Sequence, residues 1–119
     1  MNQYEIPAII EDELPAICHE LETTRKFGDA IQIMQILSAF ASRMLSMHQL
    51  PVVIKCMRMV EKIYEKGDTL VKNAIENVFV LSFSGMRNKC DTMEWNLLSA
   101  KMPITLYSLY IQQHYKPGI

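Results

Sequence analysis

Glu11, Asp12 and Glu13 stand side by side, and Glu20 and Glu22 follow shortly after. Carboxylates gathered in this way could act as a general acid and base, or hold a divalent cation through oxygen ligands. A solvated acidic face is the reading we prefer. Cys18 and His19 are neighbours and invite a nucleophile–base pairing. Successive residues on a helix point about 100° apart, so this dyad cannot converge on one substrate. His48 and His114 are isolated from other ligand-type residues in the sequence. No phosphate-binding glycine loop, zinc-protease helix, nucleophile elbow or calcium loop occurs. We therefore expect no catalytic residue, no metal and no cofactor.

The cysteines are three, Cys18, Cys56 and Cys90, without zinc spacing. An odd, widely spaced set fits a reducing compartment. The opening MNQYEIPAIIEDELP has neither a basic leader nor a long apolar run, so it does not read as a signal peptide. No stretch approaches the roughly 18 apolar residues of a spanning helix. A cytoplasmic protein without membrane contact is expected. With 119 residues, half of them hydrophobic, the chain reads as a single domain, 1–119, with one core. Nine methionines suit an irregular core or an adaptable contact surface.

Charge is unevenly spread. Residues 1–24 hold six acids and no lysine or arginine, whereas residues 25–90 hold ten bases and five acids, a difference of +5. The acidic segment could steer a basic partner, or lie against the chain's own basic middle. Lys55, Arg58, Lys62, Lys66 and Lys72 make a basic stripe that could neutralise phosphates. Glu61, Glu65 and Glu76 interrupt it and the isoelectric point is near 6.3, so no nucleic-acid partner is expected.

The elements carrying these residues are helical. In DAIQIMQILSAFASRMLSMHQ, residues 29–49, Ala30, Ile33, Leu37, Phe40, Met44 and Met47 recur at steps of three and four. Asp29 is the expected N-cap. A second helix starts at Pro51, with Val53, Cys56, Met57, Val60, Ile63 and Tyr64 on its apolar face. Gly67 should supply its C-terminal cap, and Asp68 should cap the next helix. Short helices are expected over 7–13, 15–23 and 92–101, the last capped by Asp91, and a final helix begins at Pro103. The whole is expected to be all-α, a compact bundle or HEAT-like stack of about five to seven antiparallel helices.

Residues 69–84 are the least polar stretch. The run VFVLSF alone would suit a buried strand. The Asp68 cap and the Asn73/Asn77 spacing favour a central helix with Leu70, Ala74, Val78 and Leu81 on its core face. Asn73 and Asn77 are then either buried ties to a neighbouring backbone, the reading we prefer, or, with Glu76, part of a ligand groove.

The C-terminal stretch is aromatic. Tyr107 and Ile111 are expected in the core, while Trp95, Tyr110 and Tyr115 divide between core and interface. As a partner-binding set we single out Glu11, Asp12, Glu13, Trp95, Tyr110 and Tyr115.

GDTLVKNAIENVFVLSFS and MPITLYSLYIQQHYKPGI together resemble a family of small, all-helical bacterial proteins of the Bacteroidetes type, regarded as immunity proteins encoded near polymorphic toxins. The likeness is firmest over residues 73–80 and 102–107, and runs over most of the chain. In such relatives the apolar helix often ends in an acid, where this chain has Ser82 and Ser84. The resemblance implies a cytosolic protein that neutralises a cognate toxin by binding it, without cofactor. The alternative is a helical adaptor or regulatory protein, a homodimer among the options, with no toxin partner.

Overall fold

The computed structural model describes residues 3–17 and 30–114. Among them there is no strand, and the elements assemble into an all-α bundle. The body measures 38 × 35 × 19 Å, so it is about two helix layers thick.

A short 3-10 turn, Gln3–Glu5, leads into α1 (Ile6–Glu13), which carries Pro7 in its first turn and buries Ile6 and Ile10. A further 3-10 turn spans Pro15–Ile17. Two long helices follow, α2 (Ala30–Ser46) and α3 (Leu50–Lys66). In α2 the expected face is buried at Ala30, Ile33, Leu37 and Phe40, joined by Met34, Ala41 and Leu45. Met47 is exposed instead, because α2 ends at Ser46 and the chain turns there. In α3 Val53, Cys56, Met57, Val60 and Ile63 are fully buried and Tyr64 partly so. Each such side chain taken out of water contributes roughly 1.5–3 kcal/mol. The Asp29 cap lies outside the described residues. The Ala30 N–H donates to Gln3 Oε1 (2.9 Å), docking the N-terminal turn onto the first described turn of α2.

The turn between α2 and α3 carries the one positive φ among the described non-glycine residues, 59° at His48. The His48 N–H donates to the Leu45 carbonyl and the Gln49 N–H to the Met44 carbonyl. That pair of bonds is the Schellman ending, usually built around glycine. Gly67 caps α3 as expected, its N–H donating to the Tyr64 carbonyl, and its backbone is extended, φ −75° and ψ 153°. What requires glycine there is closeness. A Cβ would lie 2.7 Å from Val71 Cγ1 and 2.9 Å from the Ile63 carbonyl oxygen.

Asp68 caps α4 (Thr69–Ala74), accepting from the Val71 N–H at 3.0 Å. The helix then widens to a π turn over Ile75–Phe79, tightens to a 3-10 turn over Val80–Ser82 and continues as α5 (Phe83–Arg87). The 78–83 run is therefore helical, not a strand. Its buried stripe is Val71, Ala74, Ile75, Phe79, Val80, Phe83 and Met86. Of the expected face only Ala74 is buried; Val78 is partly so, and Leu70 and Leu81 are exposed. The helix offers two apolar stripes, and the one carrying two phenylalanines buries more area. Asn73 and Asn77 lie on the opposite side, exposed. They are not buried ties, which corrects the preferred reading of those amides.

The bundle is completed by α6 (Thr92–Lys101) and α7 (Ile104–His114). Asp91 caps α6 in a full capping box: the Glu94 N–H donates to Asp91 Oδ1 (2.8 Å) and the Asp91 N–H to Glu94 Oε1 (3.2 Å).

Candidate partner-binding surface

The acidic segment meets the basic one where α1 packs on α3. Lys62 Nζ on α3 donates to Glu13 Oε1 on α1 at 3.0 Å. Glu13 Oε2 is buried without a hydrogen-bond partner. A cleft of about 260 Å³ at this junction is lined by Ile9, Asp12, Glu13, Lys62, Ile63 and Lys66, two acids facing two bases. Glu13 is thus engaged by the chain's own basic helix, while Asp12 is exposed and Glu11 half-buried. Glu20, Glu22, Cys18 and His19 lie outside the described residues.

The rest of the basic stripe is also occupied in part. Lys72 Nζ lies 5.5 Å above the Tyr64 ring, a cation–π distance. Glu61, which breaks the stripe in the sequence, accepts from the Leu106 N–H at 3.2 Å. Leu106 is in the first turn of α7, whose preceding residue is Pro103. Pro103 has no side chain able to cap, so α3 supplies the acceptor. At the other end of α7, Gln113 Nε2 donates to the Glu76 carbonyl at 2.8 Å.

These bonds fix the rotation of α7, and with it the fate of the tyrosines. Tyr110 is in the core, 6% exposed, between Phe83 at 5.9 Å and Trp95 at 5.9 Å. Phe83 in turn meets Phe79 edge-on at 5.4 Å. Tyr110 is therefore a packing residue rather than an exposed anchor, and Tyr107, expected in the core, is exposed. The stripe shared by the two faces was legible, but which side faced inward depended on the Glu61 and Gln113 bonds. Trp95 is half-buried, and Tyr115 lies outside the described residues.

What the two last helices leave outside is apolar. Met93 is 81% exposed and Ile104 78%, with Leu97 and Tyr107 also exposed. Tyr4, Ile31, Met47, Leu70 and Leu81 are exposed elsewhere, but these four fall within two short successive helices. Sequence reasoning passed over Met93, Leu97 and Ile104, although Met93 and Leu97 sit at helical i, i+4 spacing.

The remaining titratable groups are structural in their surroundings. His48 Nδ1 bonds Glu94 Oε2 at 2.7 Å, and this bond, with the carboxylate's charge, raises the imidazole above its usual 6.5. Burial pushes the Cys56 thiol up to about 12, and Cys90 is raised by burial too, so neither is a ready thiolate. Among the described residues no group of three or more His, Cys, Asp or Glu is placed to hold a metal ion. No helix among them is long and apolar enough to cross a membrane.

A helical bundle with large apolar side chains exposed on its last two helices is the class these features define. The chain belongs to the DUF7674 family, a domain of unknown function, whose profile matches residues 7–116. No curated protein and no solved structure matches it.

Proposed function

We propose that this chain is a non-catalytic, cytoplasmic protein-binding module whose partner docks on α6 and α7, and that the partner is a cognate bacterial toxin which it neutralises. The observation that carries the docking surface is the exposure of Met93, Leu97, Ile104 and Tyr107 together. Apolar and aromatic side chains of this size are what interface centres use. The likeness of residues 67–84 and 102–119 to toxin-immunity proteins supports the choice of partner. Asp12 would form the acidic edge that speeds encounter with a nucleic-acid-cutting toxin, whose substrate is polyanionic. Glu13 contributes less to that edge, being paired to Lys62, and the half-buried Trp95 packs on Tyr110.

Co-expression with the product of a neighbouring gene that encodes a toxin, followed by purification of the complex, tests the reading, and a neighbourhood without such a gene would count against it. Ile104→Asp should abolish the complex with an unchanged melting temperature, and Asp12→Lys should slow association and flatten its salt dependence. An Ile104→Asp chain that binds the toxin undiminished would overturn the proposed surface. The same exposed set would also serve a second copy of the chain. If sedimentation shows a dimer of the isolated chain that Ile104→Asp splits, while no toxin binds, the homodimeric adaptor is the correct reading.

A further inference from the structure

The 69–87 helix keeps one face bare. Leu70, Asn73, Asn77 and Leu81 are all exposed, at steps of three, four and four. Neither side-chain amide has a hydrogen-bond partner among the described residues. The charged residues between the two leucines are Lys72 and Glu76, and both are half-buried. Lys72 Nζ lies 5.5 Å above the Tyr64 ring, and burial together with the Glu76 charge raises the Tyr64 hydroxyl. Both charges are thus drawn to the α3 flank, and the bare stripe holds two leucines and two amides.

The stripe reads the same in either direction: leucine, asparagine, asparagine, leucine. A two-fold interface uses one patch twice, so the patch must complement itself. Two copies laid antiparallel about an axis between residues 75 and 76 set Leu70 against Leu81 at both ends. The same axis brings Asn73 within one position of Asn77, twice over. A carboxamide both donates and accepts, so one amide pairs with another. A face of one charge would repel its own copy, and this face carries none. Farther along, Ser84 and Gly85 come opposite the 66–67 corner of the second copy, where its chain turns from α3 to α4. Small residues leave room for that corner. Gly85 is exposed, and a Cβ there would meet nothing within 4 Å. Nothing in its own fold therefore asks for glycine in α5, where alanine would make the stronger helix.

We propose that the chain self-associates through this stripe, as an antiparallel pair of 69–87 helices from two copies. One helix pair is smaller than a standard interface, so the dimer is weak, with a Kd of about 100 µM. The contact is distinct from the α6–α7 surface and does not rest on the partner proposed there.

Sedimentation equilibrium of the full chain, from about 10 µM to about 1 mM, tests it. The average mass should climb from 13.8 kDa towards twice that value. Leu70→Lys and Leu81→Lys should each hold the chain monomeric, with melting temperatures unchanged in dilute solution. Ile104→Asp should dimerise as wild type does. Oxidative cross-linking reads the register: a mixture of Leu70→Cys and Leu81→Cys chains should yield covalent dimer faster than either variant alone. A chain that stays monomeric at the highest concentration would overturn the proposal. A dimer that Ile104→Asp splits and Leu81→Lys does not would move the contact to α6 and α7 and overturn it too. Cross-linking of the mixture no faster than of the single variants would refute the antiparallel pairing.

Discussion

The carboxylate of Glu61, in the middle of α3, accepts a hydrogen bond from the backbone N–H of Leu106 in the first turn of α7, 3.2 Å away and 45 positions along the chain. One helix caps another. An N-terminal turn is the positive end of a helix dipole, so a carboxylate there gains from charge as well as from the bond. Glu61→Ala should cost about 1 kcal/mol, in the range of lost caps, whereas Glu61→Gln keeps an acceptor oxygen and should lose less. Urea melts of the three proteins decide it; equal midpoints would show the bond contributes nothing.

His48 sets a pH dependence. Its folded pKa is raised by the Glu94 hydrogen bond and charge, with Asp91 adding to them and burial opposing. A raised pKa means that the charged ring stabilises the fold fully below the ordinary value of 6.5, and that this contribution fades as pH rises through the higher folded value. The melting temperature of His48→Asn, which also tolerates the left-handed backbone, should fall below wild type at pH 5.5–6 and approach it at pH 9. A gap of constant size across that range would refute the assignment. Because the imidazole is well exposed, raising salt should narrow the gap.

Gly67 tests the packing of the α3–α4 corner. Its φ suits any residue, so an alanine meets no backbone strain. It meets the Ile63 carbonyl at 2.9 Å and Val71 at 2.7 Å instead. The valine can shift but the carbonyl belongs to a buried turn. Gly67→Ala should destabilise by about 1–3 kcal/mol, read as a lower urea midpoint with unchanged slope.

The amides of the 69–87 helix should be nearly silent. Asn73→Leu and Asn77→Leu sit on the exposed side, and surface substitutions usually move stability by less than about 0.5 kcal/mol. Phe79→Ala, from the fully buried stripe, should cost about 3–5 kcal/mol. A large loss from either asparagine variant would mean that the helix is rotated from the position described.

Helix existence was written in the spacing of α2 and α3, and the Asp68 and Asp91 caps were readable from residue type alone. Facing was harder. In the 69–87 helix both stripes are apolar, and in α7 tyrosines occupy both sides, so periodicity could not choose between them. The π turn adds to this, since it lets Phe79 and Val80 both reach the core. The corner at His48 was hidden for a related reason. Glycine is the usual residue for a left-handed ending, and nothing in residue type marks a histidine for that role. The candidate surface shared that fate: Tyr110 turned inward through bonds from Glu61 and Gln113, which no local pattern announces.

Polar links tie distant parts of the chain, among them Gln3 to Ala30, Gln113 to Glu76, Glu61 to Leu106, His48 to Glu94 and Glu13 to Lys62, with separations of 27, 37, 45, 46 and 49 positions. Helical turns form within about a microsecond, long before such distant partners meet. The links should therefore close after the rate-limiting step of folding. Removing one would then leave the folding rate almost untouched and shorten the lifetime of the native state instead. In a cell, the latches would govern how often the chain opens to proteolysis rather than how quickly it matures.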